Sequence, residues 1–174
     1  GDEYICGKNA HNYKFEGGGS AVLGSVQPQP IENDADGSIP FSKIATAIKP
    51  DDCHFAKTRL LSLENTIGGK VLPIEYLAQA RDFVNTQSLA LTPHGARAFN
   101  AAVELKVDLP EITKHFDSVS IGLSKGLGAP VGSLLLGSPA LINKARRWRK
   151  VIGGGMRQAG IRAAAGQFAL EHNV

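Results

Sequence analysis

At 174 residues, the chain is long enough for one domain with a sizeable core. Its 43% apolar and 20% charged residues exclude a disordered chain, and a net charge of +3 excludes a dedicated nucleic-acid binder. No apolar run approaches the roughly 20 residues that cross a bilayer. Gly1-Asp2-Glu3-Tyr4 lacks the basic and apolar segments of a signal peptide. Cys6 and Cys53 stand far apart in no metal-ligand spacing, so two reduced, partly buried thiols in a cytoplasmic protein without a metal are expected. Met156 is the only methionine, and the chain stops at His172-Asn173-Val174 straight after a helical segment. A fragment of a longer protein is expected.

Taken in order, Tyr4-Ile5-Cys6 reads as a short strand and Asn12 to Leu23 as a helix weakened by Gly17-Gly18-Gly19. The stretch from Gln27 to Gly37, with Pro28 and Pro30, reads as a surface loop. Ile39 to Ile48 reads as a helix, with Asp36-Gly37-Ser38 as its turn and Pro40 near its first position. Arg59 to Leu63 is a buried strand. Pro73 to Thr86 is the clearest amphipathic helix, with Leu77, Ala80 and Val84 on one face. Leu89-Ala90-Leu91 is a strand and Ala96 to Leu105 a helix. Ser118 to Leu123 and Val131 to Leu136 are strands, followed by helices over Ala140 to Lys150 and Arg157 to Glu171. This alternation predicts an α/β domain, a mostly parallel sheet flanked by helices. Chemistry is then expected at the carboxyl ends of the strands.

Ser124-Lys125-Gly126-Leu127-Gly128 follows an apolar strand directly. Desolvation there would lower the pKa of Lys125, as a Schiff-base amine needs; the alternative is an ordinary loop lysine. Gly126-Leu127-Gly128 lacks the third glycine of a dinucleotide fingerprint. Arg97, after Gly95-Ala96, suits a carboxylate bound by two parallel hydrogen bonds, or a plain surface arginine. His11 stands just past the first strand, where a flat ring can stack on a planar cofactor or serve only structure. His54 precedes its strand, which favours a structural role. Glu64-Asn65-Thr66 suits either a helix cap or a site wall. Lys144, Arg146, Arg147, Arg149 and Lys150 surround Trp148, and read as a solvated helix face, a nucleic-acid contact or a phosphate contact across a subunit boundary. Gly153-Gly154-Gly155 follows, and its backbone can approach a ligand closely.

Several segments carry a resemblance through their order and spacing. They are Ala10-His11-Asn12-Tyr13, Leu61-Ser62-Leu63-Glu64-Asn65-Thr66, Gly95-Ala96-Arg97 with Phe99-Asn100, and Leu123-Ser124-Lys125-Gly126-Leu127-Gly128. Pro130-Val131-Gly132-Ser133 and the run from Arg147-Trp148-Arg149-Lys150 through Gly153 to Gln158 complete the set. Together they resemble the low-specificity L-threonine aldolases across nearly the whole chain. The resemblance implies the aspartate aminotransferase fold (fold type I), with residues 1–174 as the central part of the large, pyridoxal-phosphate-binding domain. The phosphate loop would lie upstream and the small domain downstream. The implied activity is an aldehyde-lyase of threonine catabolism and glycine biosynthesis, cleaving L-threonine or L-allo-threonine to glycine and acetaldehyde. By the same resemblance, Lys125 would carry pyridoxal 5'-phosphate as an aldimine, and His11 would stack on the pyridine ring near the substrate hydroxyl. Arg97 would bind the substrate carboxylate and Ser124 the phosphate. Lys150 and Arg157 would reach the phosphate of a neighbouring subunit, which implies a homodimer or homotetramer.

Three residues depart from the family pattern. His94 stands where the family has an aspartate paired with the pyridine nitrogen, and a histidine stabilises the protonated ring far less. Pro93 removes a ladder donor from what should be a central strand. Ile67 stands where the family usually has a histidine near the substrate, so the base role falls to His11 or water. Alternatives left open are β-elimination or transamination on the same fold, and a catalytically impaired remnant that assembles with intact subunits.

Overall fold

The computed structural model describes residues 1–174. The first half runs β1 (Asp2–Gly7), α1 (His11–Lys14), α2 (Gly19–Val22), β2 (Val26–Ile31), α3 (Phe41–Ala47), β3 (Lys57–Glu64) and α4 (Ile74–Thr86). The second runs β4 (Ala90–Gly95), α5 (Ala98–Leu105), α6 (Leu109–Thr113), β5 (Ser118–Gly122), β6 (Ser133–Gly137), α7 (Pro139–Val151) and α8 (Gly160–His172). The strands form one sheet in the order β2-β1-β3-β4-β5-β6. All neighbours are parallel except β5 and β6. The expected mostly parallel α/β sheet is therefore present. No helix is long and apolar enough to cross a membrane.

Alternation along the strands gives the sheet two unlike faces. Ile5, Leu61, Leu63 and Leu91 turn to one side and pack with Leu77, Ala80 and Val84 of α4, Ala101 and Ala102 of α5, and Ile112 of α6. That cluster of 15 buried residues is the main core, and it holds the helix face that the spacing of α4 predicts. The opposite side presents Tyr4, Cys6, Leu60, Ser62 and Thr92, and only Tyr4, Cys6 and Ala10 form a small buried cluster there. Cys6 is a free, fully buried thiol, and burial pushes its pKa up to about 11. Cys53 is exposed, against the expectation that both thiols are partly buried.

Four local expectations change. The helix expected over Asn12 to Leu23 is two four-residue helices, broken where Gly17 and Gly18 take φ of 59° and 69°, a region open to glycine. The expected loop from Gln27 to Gly37 begins with the edge strand β2. The Ile31 carbonyl accepts from Lys8 N–H at 2.7 Å, so odd-numbered residues of β2 face β1. Pro28 and Pro30 turn their missing donors outward, where an edge strand tolerates them. The third strand-to-helix boundary also moves: β4 runs on through Pro93 and His94 to Gly95, and the helix starts at Ala98. Finally, α6, entered through Asp108 with Pro110 in its first turn, adds a short helix to the predicted elements.

Pro93 sits inside the sheet after all. Asp117 N–H donates to the Leu91 carbonyl at 2.9 Å, so Leu91, and two residues on Pro93, face β5. The register of His94 against Ser120 puts the Ser118 carbonyl opposite the donor that proline lacks. Thr92 Oγ1 donates to that carbonyl instead, at 3.1 Å. A neighbouring hydroxyl thereby replaces the lost ladder bond.

Candidate active site

Four strands bring polar residues to their carboxyl ends. β1 leads to His11, β3 ends in Glu64, β4 in His94, and β5 in the turn carrying Ser124 and Lys125. The short helix α1 is held to the polar face of the sheet by side chains. Asn12 Nδ2 donates to Ser62 Oγ at 2.8 Å, and the Tyr4 hydroxyl donates to the Asn12 carbonyl at 3.5 Å. These ties fix the start of α1, and with it His11.

His11 is the centre of the cluster. Its backbone N–H donates to Glu64 Oε2 at 2.7 Å, and its Nδ1 lies 2.8 Å from Glu16 Oε1. An ionised carboxylate only accepts, so the proton of this bond sits on Nδ1. The ring stacks on His94, with centroids 5.2 Å apart and planes 22° apart, and tilts against Phe15 at 5.4 Å. His11 and Glu16 are exposed, whereas His94 is half-buried on its strand.

Asn65 and Ile67 serve structure. Asn65 is buried, and its Oδ1 accepts from Leu72 N–H at 3.2 Å while its own N–H reaches the His94 carbonyl at 3.3 Å. It ties a loop, leaving Glu64 as the residue of Glu64-Asn65-Thr66 that faces the site. Ile67 belongs to the main core, so no polar group stands at that position.

The turns after β4 and β5 touch. A Cβ added at Gly122 would lie 2.7 Å from the Ala96 carbonyl oxygen, so the two turns meet only because residue 122 is glycine. Gly126 abuts the Asn100 side chain in the same way. Arg97, at the start of α5, and Lys125 are thus on adjacent turns, both exposed. Leu123, Leu127 and Ala129 bury themselves against Ala169 of α8, and Asn173 Nδ2 donates to the Leu127 carbonyl at 2.8 Å. The turn is anchored from below, and Ser124 and Lys125 point to solvent. The expected desolvation of Lys125 is not supplied by burial within this chain.

Lys150 ends α7 and Arg157 lies between α7 and α8. Both are exposed and share no hydrogen bond or ion pair with the strand-end residues. The whole basic run of α7 is exposed, as a solvated face would be. His54 is exposed and paired with Asp52 at 2.7 Å, away from the strand ends. Sequence reasoning missed Glu16, whose only signal is its position five residues after His11. It also missed that Glu16, His11 and His94 converge, because no two of them share a recognisable ligand spacing.

The description "Beta-eliminating lyase" belongs to the family model that matches residues 1–174. The chain is 62% identical over 174 residues to the low-specificity L-threonine aldolase of Escherichia coli K12, covering 100% of this chain and 52% of that protein. It is 41% identical over 179 residues to low-specificity L-threonine aldolase 1 of Arabidopsis thaliana, covering 100% of this chain and 50% of that protein. The chain therefore spans about half the length of these curated relatives. Among solved structures, the threonine aldolase of Leishmania major superposes with a TM-score of 0.81 at 22% identity, over 99% of this chain and 51% of that one. That likeness concerns the fold.

Proposed function

The chain belongs to the beta-eliminating lyase family, and from that premise we propose that it is the central part of the large domain of a pyridoxal-phosphate-dependent threonine aldolase. The protein would cleave L-threonine and L-allo-threonine to glycine and acetaldehyde. The observation that carries this reading is the 62% identity, over the whole chain, to the Escherichia coli low-specificity L-threonine aldolase.

The donor set fits the cofactor at two of its three ends. Lys125 offers an exposed amine for the cofactor's carbonyl carbon, with the Ser124 hydroxyl beside it for the phosphate. The His11 ring, held by Glu16 on a backbone that Glu64 holds in turn, suits the flat face of the pyridine. The third end, the ring nitrogen, would meet His94 in place of the family's aspartate. When bound, pyridoxal phosphate supplies a ring that accepts electrons from the substrate's Cα. Arg97 binds the substrate carboxylate through two parallel hydrogen bonds. His11, with its Nδ1 proton held by Glu16, presents Nε2 as the acceptor for the substrate's hydroxyl proton. Loss of that proton is what starts scission of the Cα–Cβ bond. Ile67 is packed in the core and offers no second base. Lys150 and Arg157 face outward and would reach the phosphate of a neighbouring subunit, in a homodimer or homotetramer. The same reading puts the enzyme in the cytoplasm, in keeping with the free, buried thiol of Cys6.

Reduction with borohydride after mixing with pyridoxal phosphate tests the cofactor site. A single adduct mapped to Lys125 by mass spectrometry is expected, and an adduct elsewhere, or none, overturns the assignment. Assay of glycine and acetaldehyde from threonine tests the reaction. A second reading is favoured by the His94 ring lying over His11: a chain that keeps the assembly residues and turns over slowly. Under it, His94→Asp raises the cleavage rate, and an equal rate in the two proteins removes that reading.

A further inference from the structure

Metal-ligating side chains gather at two places on the surface. One group, His11 with Glu16 and His94, belongs to the candidate cofactor site. The other is Asp52, Cys53 and His54, in the turn that leads from α3 into β3. β3 runs from Lys57 to Glu64, so this turn stands at the amino end of the strand, the far end from Glu64 and the cofactor site. Cys53 is exposed while Cys6 is fully buried, and the cleavage reaction uses neither Cys53 nor its two neighbours.

We propose that Asp52, Cys53 and His54 bind one divalent transition-metal ion of the class that prefers thiolate and imidazole, such as Zn²⁺. Bonds of about 2.3 Å to sulfur and about 2.0 Å to nitrogen put a thiolate and an imidazole roughly 3.5 Å apart around a tetrahedral ion. Cys53 Sγ and His54 Nδ1 are 3.6 Å apart. Asp52 Oδ1 lies 2.7 Å from the same Nδ1, and the three ligand atoms fall within 4.8 Å of one another. A thiol–imidazole–carboxylate relay would use both ring nitrogens. Here one nitrogen faces both partners, which suits an ion held among three donors.

The turn is shaped independently of the ion. Asp52 N–H donates to the Pro50 carbonyl at 3.0 Å, Phe55 N–H to the Asp52 carbonyl at 3.1 Å, and His54 N–H to Asp52 Oδ1 at 2.9 Å. Lys57 closes it, with its amine 3.3 Å from Asp51 and its N–H donating to the Gly1 carbonyl at 3.0 Å. That pairing occupies Asp51 and leaves Asp52 without a lysine or arginine partner. Ligands already in place lower the ordering cost of binding. On binding, the ion displaces the thiol proton to solvent, and the imidazole keeps its one proton on Nε2. Thiolate and imidazole select Zn²⁺, Co²⁺, Ni²⁺ or Cu²⁺ over Mg²⁺ and Ca²⁺, which require oxygen ligands. All three residues are exposed, so the fourth tetrahedral position is open to water. At the opposite end of β3 from the cofactor site, the ion neither needs nor obstructs pyridoxal phosphate.

Titration of the reduced full chain with Co²⁺, a spectroscopic stand-in for Zn²⁺, tests the site. One equivalent is expected to bind, with the near-ultraviolet absorption of a thiolate–cobalt bond, and Zn²⁺ should displace it. Cys53→Ser should abolish that absorption. Losing an outer partner of a metal ligand already costs about 10–100-fold in affinity, so losing a ligand in His54→Ala or Asp52→Asn should weaken binding by at least about 10-fold. Asp52→Asn keeps an acceptor for the His54 N–H and so preserves the turn. His172→Gln, a change at an exposed histidine of α8, should leave binding unchanged. Circular dichroism checks each variant's fold, and Cys53→Ala replaces Cys53→Ser if the latter unfolds. No thiolate band at stoichiometric Co²⁺, a band that survives Cys53→Ser, or binding indifferent to the changes at 52 and 54 overturns the proposal.

Discussion

The two ends of the sheet are built on opposite terms. On one side, β1, β3 and β4 pack their apolar residues against α3, α4, α5 and α6 into a closed core. On the other, every residue of β6 is exposed, α7 buries none of its side chains, and α8 leaves Ile161 and Phe168 in solvent. Leu134, Leu135, Leu136 and Trp148 are exposed as well. The apolar run that makes a strand such as β6 is no guarantee that the strand is covered. His11, Glu64 and His94 stand on the closed side. Lys125 stands at the seam, its turn held by the small cluster that α8 completes. Lys150 and Arg157 belong to the open side. The candidate site thus takes His11, Glu64 and His94 from the strand ends beside the main core, and the expected cross-subunit phosphate contacts Lys150 and Arg157 from an exposed stretch at and after the end of α7.

The largest effect should separate the two sides directly. Leu77 is fully buried in the main core, so Leu77→Ala should cost about 2–5 kcal/mol. Trp148 is 57% exposed, and Trp148→Ala should stay within about 0.5 kcal/mol. Urea unfolding of both variants measures this, and similar losses would erase the distinction. Hydrogen exchange sharpens it further: amides of β3 and α4 should open only with global unfolding, and those of α7 well before it.

A second test lies at the amino end of the closed side. Glu3 is fully buried, accepts from Thr58 Oγ1 at 2.8 Å and pairs with Lys49 at 3.4 Å. Breaking a buried pair by removing one partner costs about 3–5 kcal/mol. Lys49 retains 23% exposure and can turn to water, so Glu3→Ala should cost roughly 1–3 kcal/mol once that screening is allowed for. A loss below the uncertainty of the unfolding curve would mean that the pair is not buried in solution.

Much of this division was legible in the sequence, and the exceptions have physical causes. The Leu77, Ala80, Val84 stripe of α4 and the strand ends that carry His11, Glu64 and Lys125 follow from periodicity and from the parallel topology. β2 was hidden because Pro28 and Pro30 read as breakers, although on an edge their missing donors face outward. Pro93 reads as an anomaly in the sequence because its missing donor falls in a central strand, and Thr92 supplies the repair that residue-by-residue reasoning does not see. The burial of Ile67 and the meeting of Glu16 with His11 depend on tertiary contacts. The resemblance to threonine aldolases named the site residues, whereas geometry alone groups only His11, Glu16, Glu64 and His94.

The Thr92 repair predicts a smaller, specific loss at the seam between the two sides. Thr92→Val keeps the shape but leaves the Ser118 carbonyl without the donor now at 3.1 Å. A fully buried unmet acceptor costs about 1–3 kcal/mol, and the part-buried Ser118 carbonyl sets the loss near the lower end, about 1 kcal/mol. In a Pro93→Ala background the backbone donor returns, so the same change should cost less. A double-mutant cycle on Thr92 and Pro93 reads the difference, and strict additivity would show that the hydroxyl does not stand in for the ladder bond.

The smallest effect is a pH dependence at the same seam. His115 precedes β5, and its carbonyl accepts from Arg81 Nε at 2.6 Å. Desolvation lowers its pKa first, with Lys114 and Arg81 adding to the shift. A depressed folded-state pKa means that the unfolded chain takes up the proton earlier as pH falls. The stability linked to His115 is therefore present above its ordinary value near 6.5 and is lost as pH falls through the lower folded value. Thermal unfolding at pH 7.5 and pH 5.5 should show a larger drop in Tm for the unaltered chain than for His115→Gln, which cannot titrate. Equal drops in the two proteins would place the acid sensitivity elsewhere.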